Sequence, residues 1–257
     1  MNWKMIGADV TEPTYLTTPE GRRIAYHHLP GKGPGVVFLG GFKSDMTGTK
    51  AVFLERWAQA RGQAFLRLDY SGHGVSSGAF EDGCIGDWAA DAAAVIDAVT
   101  TGPQVLVGSS MGGWIALLLA RARPDRVAGL VGIAAAPDFT GDIEAEMTPA
   151  EQAALTRDGR IVQPSDYADQ PYVFTRRLIE DGRAQQVLNA ALHLPFPVRL
   201  LQGTADRDVL PAVALRLLDH ISGADVRLTL VKDADHRFST PDCLALIGET
   251  VAAVLGE

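Results

Sequence analysis

Only two cysteines, Cys84 and Cys243, occur in 257 residues. They lie far apart, with no CxxC or other metal-ligand spacing, which excludes a disulfide framework and reads as two reduced structural thiols. Positive charge is also scarce: 23 Lys and Arg stand against 31 Asp and Glu, a formal net charge of −8. Such a surface repels nucleic acid and anionic lipid headgroups on average, so neither is an expected partner. No apolar run approaches the roughly 20 residues that cross a bilayer; the stretch from Val127 to Ala136 falls well short. The opening "MNWKMIGADVTEPTYL" has no apolar core followed by a small-residue cleavage site, and too little arginine for a transit peptide. The expectation is therefore a cytoplasmic protein. HExxH and GxxxxGK[ST] are missing, and "SGHGVSSG" misses the GxGxxG spacing, so no metal and no nucleotide cofactor is expected.

Short apolar runs are present, and they alternate with helical patterns. "GVVFLGG" (35–41), "AFLRLDY" (64–70), "QVLVGSS" (104–110), "VAGLVGIAA" (127–135), "VRLLQGT" (198–204) and "VRLTLVKD" (226–233) read as strands. Continuous apolar character marks strands buried on both faces, as in a parallel sheet with crossover helices. Helices are expected near 47–61, 85–99, 110–122, 211–220 and 240–255, the last capped by Ser239 or Thr240 ahead of Pro241. "TYLTT" and "RRIAYHHL" around "PEGR" suggest an early hairpin. Right-handed crossovers bring the carboxyl ends of the strands to one edge of the sheet, where ligands bind in such folds. Residues 137–195 break the rhythm. They are too long for one crossover, and "PAEQAALTR" and "YVFTRRLIEDGRAQQVLNAAL" look helical, so they read as a helical cap inserted in a core of 1–136 and 196–257.

"GSSMG" (108–112) fits GxSxG in one frame only, with Ser110 at the centre. The motif needs a sharp strand-to-helix turn, and here it follows "QVLV" and opens "MGGWIALLLA". A serine hydroxyl there is a nucleophile only when a base takes its proton and an acid orients that base. His236 alone combines a position after the last strand with the chain order Ser, Asp, His; His27, His28, His73, His193 and His220 sit in less suitable places. Asp206 and Asp208 both follow the strand at 198–203. Asp206 is preferred because it comes first at the turn, while Asp208 could cap the next helix. Asp235 reads as a loop-shaping carboxylate. Donors for a tetrahedral oxyanion are expected from the main-chain N–H groups of Met111 and of Phe42, in "GGFKSDMTG".

With these residues identified, the chain resembles the α/β-hydrolase superfamily over nearly its whole length, and within it the abhydrolase-domain-containing protein ten family. "FLGGFKSDMTGTKA", "RLDYSGHGVSSG", "GPQVLVGSSMGGW", "ARPDRV", "VRLLQGTADRDV" and "KDADHRFS" carry the resemblance. It implies an α/β-hydrolase fold and cleavage of acyl thioesters or acyl glucuronides, without cofactor, on a small-molecule or acyl-protein substrate. It also implies Ser110 as nucleophile, Asp206 as acid and His236 as base. Gly40-Gly41 stands where the superfamily commonly has His-Gly. The competing expectation is a non-catalytic ligand-binding or sensor protein on the same fold.

Overall fold

The computed structural model describes residues 12–164 and 171–257. In chain order the elements are β1 (Thr14–Thr17), β2 (Arg23–Leu29), β3 (Lys32–Leu39), α1 (Thr49–Gln59), β4 (Gln63–Leu68), α2 (Ile85–Val99), β5 (Gln104–Ser109), α3 (Met111–Ala122) and β6 (Val127–Ile133). Next come α4 (Phe139–Glu146), α5 (Pro149–Asp158), β7 (Arg160–Gln163), β8 (Tyr172–Thr175), α6 (Arg176–Ala184) and β9 (Leu192–His193). The chain closes with β10 (Val198–Gly203), α7 (Pro211–His220), β11 (Ile221–Ser222), β12 (Val226–Val231) and α8 (Pro241–Leu255).

Eight strands form one sheet in the order β1-β2-β4-β3-β5-β6-β10-β12. The β1–β2 hairpin and the β2–β4 pair are antiparallel, and every other neighbour is parallel. Alternation along each strand divides the core in two. In β3, Val37 and Leu39 face the α2–α3 layer with Trp88 and Trp114, while Val36 and Phe38 face the α1–α8 layer with Leu54, Trp57 and Ile247. Both faces are covered, which is why these strands read as continuous apolar runs. Thr240 caps α8 by accepting from Cys243 N, and Pro241 takes the first helical position. Both cysteines are buried free thiols. Among the described residues, no helix is long and apolar enough to cross a membrane.

The segment between β6 and β10 departs from the all-helical expectation. α5 begins on a Thr148–Glu151 capping box and stops at Gly159, whose φ of 71° reverses the chain. The chain then enters a hairpin, with Arg160 opposite Thr175 and Gln163 opposite Tyr172. "YVFT", expected as the start of a helix, is therefore strand β8: aromatic and β-branched side chains fit a pleated surface better than a helix. The helix starts only after Thr175, whose hydroxyl accepts from Leu178 N, and ends at Ala184 rather than near 191. Val187 and Leu188 leave the helix because their N–H groups donate to the buried carboxylate of Asp138, at 2.8 and 2.9 Å.

Candidate active site

Strand β5 ends at Ser109, and α3 begins at Met111. Ser110 between them has φ 54° and ψ −119°, a conformation that non-glycine residues adopt only under constraint. The flanking glycines explain how the turn closes. A Cβ at Gly108 would collide with the Gly112 carbonyl, and one at Gly112 with the Leu39 carbonyl. The turn is fixed by Ser110 N donating to the Ile133 carbonyl at 2.9 Å, and by Gly113 N and Ala136 N donating back to the Ser110 carbonyl at 2.8 and 3.1 Å.

Two loops from the carboxyl edge of the sheet converge on this serine. The loop after β12 brings His236 Nε2 to 3.1 Å from Ser110 Oγ. The loop after β10 brings Asp206 Oδ2 to 2.9 Å from His236 Nδ1. Asp206 is buried, and its other lone pairs accept from Asp208 N, Val209 N and Gln202 Nε2 at 3.0, 2.9 and 3.0 Å. Burial opposes its ionisation, but the hydrogen bond and charge of His236 and the Val209 and Gln202 donors outweigh it and hold the carboxyl below its ordinary value. Asp208 lies farther out, its carboxylate 4.0 Å from His236 Nε2. It does not cap α7, whose N-cap is Leu210. Asp235 shapes its loop by accepting from Phe238 N at 3.2 Å.

Met111 and Phe42 both border the cavity beside Ser110. The Gly41–Phe42 loop packs closely on the serine turn, since a Cβ at Gly41 would lie 3.4 Å from Ser110 Cβ. Tyr70 Oη donates to the Gly40 carbonyl at 3.2 Å and holds the loop from below. The Phe42 ring is locked among Phe80, Trp88, Phe139, Tyr172 and Phe174, with centroids 4.7–6.1 Å away.

The cavity holds about 830 Å³. One wall is apolar, built from Phe42, Phe139, Ile143, Tyr172 and Phe174. Asp142 and Glu146 project into it from α4, on the same helical face as Phe139 and Ile143. Lys50, Arg207, Asp208 and Arg237 border it beside the His236 and Asp206 loops. Sequence reading missed Gln202 and all of these charged residues except Asp208. A glutamine directly after the apolar pair Leu200–Leu201, near the carboxyl end of β10, was the available signal for Gln202. The five other histidines lie outside the cavity lining. His73 is buried among Tyr70, Phe80 and Trp88, and burial pushes its pKa down to about 4.

The alpha/beta hydrolase family model matches residues 36–245, most of the chain. The chain belongs to the α/β hydrolase family. A solved structure from Agrobacterium vitis S4 is similar to this hydrolase with a TM-score of 0.91 and 41% identity, covering 95% of this chain and 98% of that one. The mouse alpha/beta hydrolase domain-containing protein 10 is similar with a TM-score of 0.89 and 34% identity, covering 96% and 99%. The human palmitoyl-protein thioesterase ABHD10, mitochondrial, is 35% identical over 244 residues, 94% of this hydrolase and 79% of that protein. The human, bovine and rat relatives are all named mitochondrial, which overturns the expectation of a cytoplasmic protein. Import depends on an address read by receptors, so the composition of the folded globule carries no such information.

Proposed function

We propose that this hydrolase cleaves acyl thioesters and carboxylic esters through an acyl-enzyme on Ser110, with His236 as general base and Asp206 as the acid that orients it. The observation that carries the reading is the continuous chain of contacts from Ser110 Oγ through His236 to Asp206, opening on a cavity with an aromatic wall. The palmitoyl-protein thioesterase relatives support a thioester as substrate.

Ser110 Oγ attacks the carbonyl carbon while His236 Nε2 takes its proton, and the N–H groups of Met111 and Phe42 receive the oxyanion. Asp206 fixes the Nδ1–H tautomer and stabilises the imidazolium. The intermediate collapses as His236 returns the proton to the departing thiol or alcohol, leaving an ester on Ser110. Water then loses a proton to His236 and attacks that ester; the second collapse returns the proton to Ser110 and frees the carboxylic acid.

Residues 137–195 act in this reading as the cap that selects the acyl group, because Phe139, Ile143, Tyr172 and Phe174 form the apolar wall. Rates against acyl chain length for matched oxygen esters and thioesters test this function. Rising kcat/KM with acyl chain length on thioesters is expected; preference for short oxygen esters would overturn both the thioester reading and the role of the apolar wall.

A further inference from the structure

Lys50 sits where a helix disfavours it. It is the second residue of α1, whose first turn has no acidic side chain and no side-chain cap, so its charge opposes the helix dipole. It also borders the cavity, and burial pushes its pKa down to about 8, against attraction from Asp235 and Cys243 and together with repulsion from Arg237. A long, charged side chain held under these penalties points to a task at that place.

Its contact is with the loop that carries His236. Lys50 Nζ donates to the main-chain carbonyl of Arg237, an oxygen it shares with the Ser239 hydroxyl. The loop that presents His236 is bracketed by two non-glycine residues at positive φ, Asp233 at 60° and Phe238 at 48°. Its first half is tied to the loop carrying Asp206: Asp233 N donates to Thr204 Oγ1 at 2.9 Å, and Ala205 N to the Ala234 carbonyl at 3.0 Å. Its second half is tied to α1 by Lys50, which holds the carbonyl of the residue that follows the imidazole.

We infer that Lys50 is a positioning residue for His236, clamping the second half of its loop to α1 and so setting the reach of the imidazole toward Ser110. The inference rests on His236 being the base. Because Lys50 acts through the loop rather than on substrate, its loss lowers kcat and leaves KM little changed. Deprotonation removes the charge that strengthens the hydrogen bond to the Arg237 carbonyl, so kcat/KM falls as pH rises through about 8.

The test uses wild type, K50M, K50R and H236A, with a short-chain p-nitrophenyl ester as substrate and thermal unfolding as a check on folding. K50M is expected to lose about 10²-fold in kcat, the scale of a small misplacement of a catalytic group. K50R, which stays charged at alkaline pH, is expected to recover most of the kcat and to abolish the alkaline decline. Unchanged kcat in K50M, or a rise in KM alone, would overturn the inference. If K50M does not fold, the K50R profile decides: a decline near pH 8 that persists in K50R overturns it. Turnover retained by H236A instead refutes the base assignment, whatever the Lys50 variants do.

Discussion

Ser110 is held in a conformation that a free serine avoids, and the hydrogen bonds that hold it come from β6 and α3 rather than from its own side chain. The strained turn leaves Oγ pointing at His236, so the hydroxyl is available for chemistry and contributes little to folding. Ser110→Ala should therefore leave the unfolding midpoint nearly unchanged while lowering kcat by about 10⁶-fold, as for loss of a nucleophile in a concerted triad. Ser109→Ala should be mild in comparison, and equal losses in the two variants would contradict the assignment. The two aspartates separate in the same way. Asp206 is buried against His236 Nδ1, whereas Asp208 stands near the opposite nitrogen at 4.0 Å. Asp206→Asn should cost about 10⁴-fold in kcat by disturbing the imidazole tautomer, while Asp208→Asn should cost far less; steady-state kinetics on both variants checks this. The meeting of Ser110, His236 and Asp206 was legible because the motif frame singles out Ser110, His236 follows the last strand, and Asp206 comes first at the turn after β10. Lys50 and Arg207 were not, because only the folded chain brings them to the cavity, and Gln202 acquires its part only where its amide meets the Asp206 carboxylate.

At the level of elements, the core was readable from periodicity and the 137–195 segment was not. Strands such as β3 and β5 are covered on both faces, so apolar runs identify them wherever they occur. β8 is four residues long and takes its conformation from antiparallel pairing with β7, a partner outside its own stretch of sequence. Local propensity in "YVFTRRL" could not distinguish the strand from the helix that follows it. The segment is anchored to the core by specific polar contacts: Trp114 Nε1 donates to the Gln185 carbonyl at 3.1 Å and Arg121 Nη1 to the Gln186 carbonyl at 2.7 Å, while Asp138 ties the segment to itself through Val187 and Leu188. Trp114→Phe leaves the Gln185 carbonyl unpaired beside a small void and should destabilise the fold by about 1–3 kcal/mol in urea unfolding. Phe174→Ala opens the apolar wall, and its effect belongs to function as well. It should flatten the dependence of kcat/KM on acyl chain length more than it changes the rate on an acetyl ester.

Across the whole molecule, a surface of net charge −8 surrounds a cavity that carries Lys43, Lys50, Arg207 and Arg237 against Asp142, Glu146 and Asp208. The buried carboxylate of Asp206 also links acid stability to the site. Asp206 has a folded-state value depressed below its unfolded one, so its contribution is complete above the ordinary carboxylate value of about 3.9. That contribution is lost as pH falls through the depressed value. Thermal unfolding from neutral pH to about pH 3 should show wild type losing more stability on acidification than Asp206→Asn, which has no proton to gain there. Parallel curves would contradict the linkage. The central claim, that acyl transfer passes through Ser110 with His236 as its base, is tested most directly by intact-mass analysis during turnover of a slow acyl ester. The account predicts one acyl group per chain, mapped by peptide digestion to Ser110 and absent in both Ser110→Ala and His236→Ala. Turnover by Ser110→Ala, or an acyl group mapped to another residue, would contradict it.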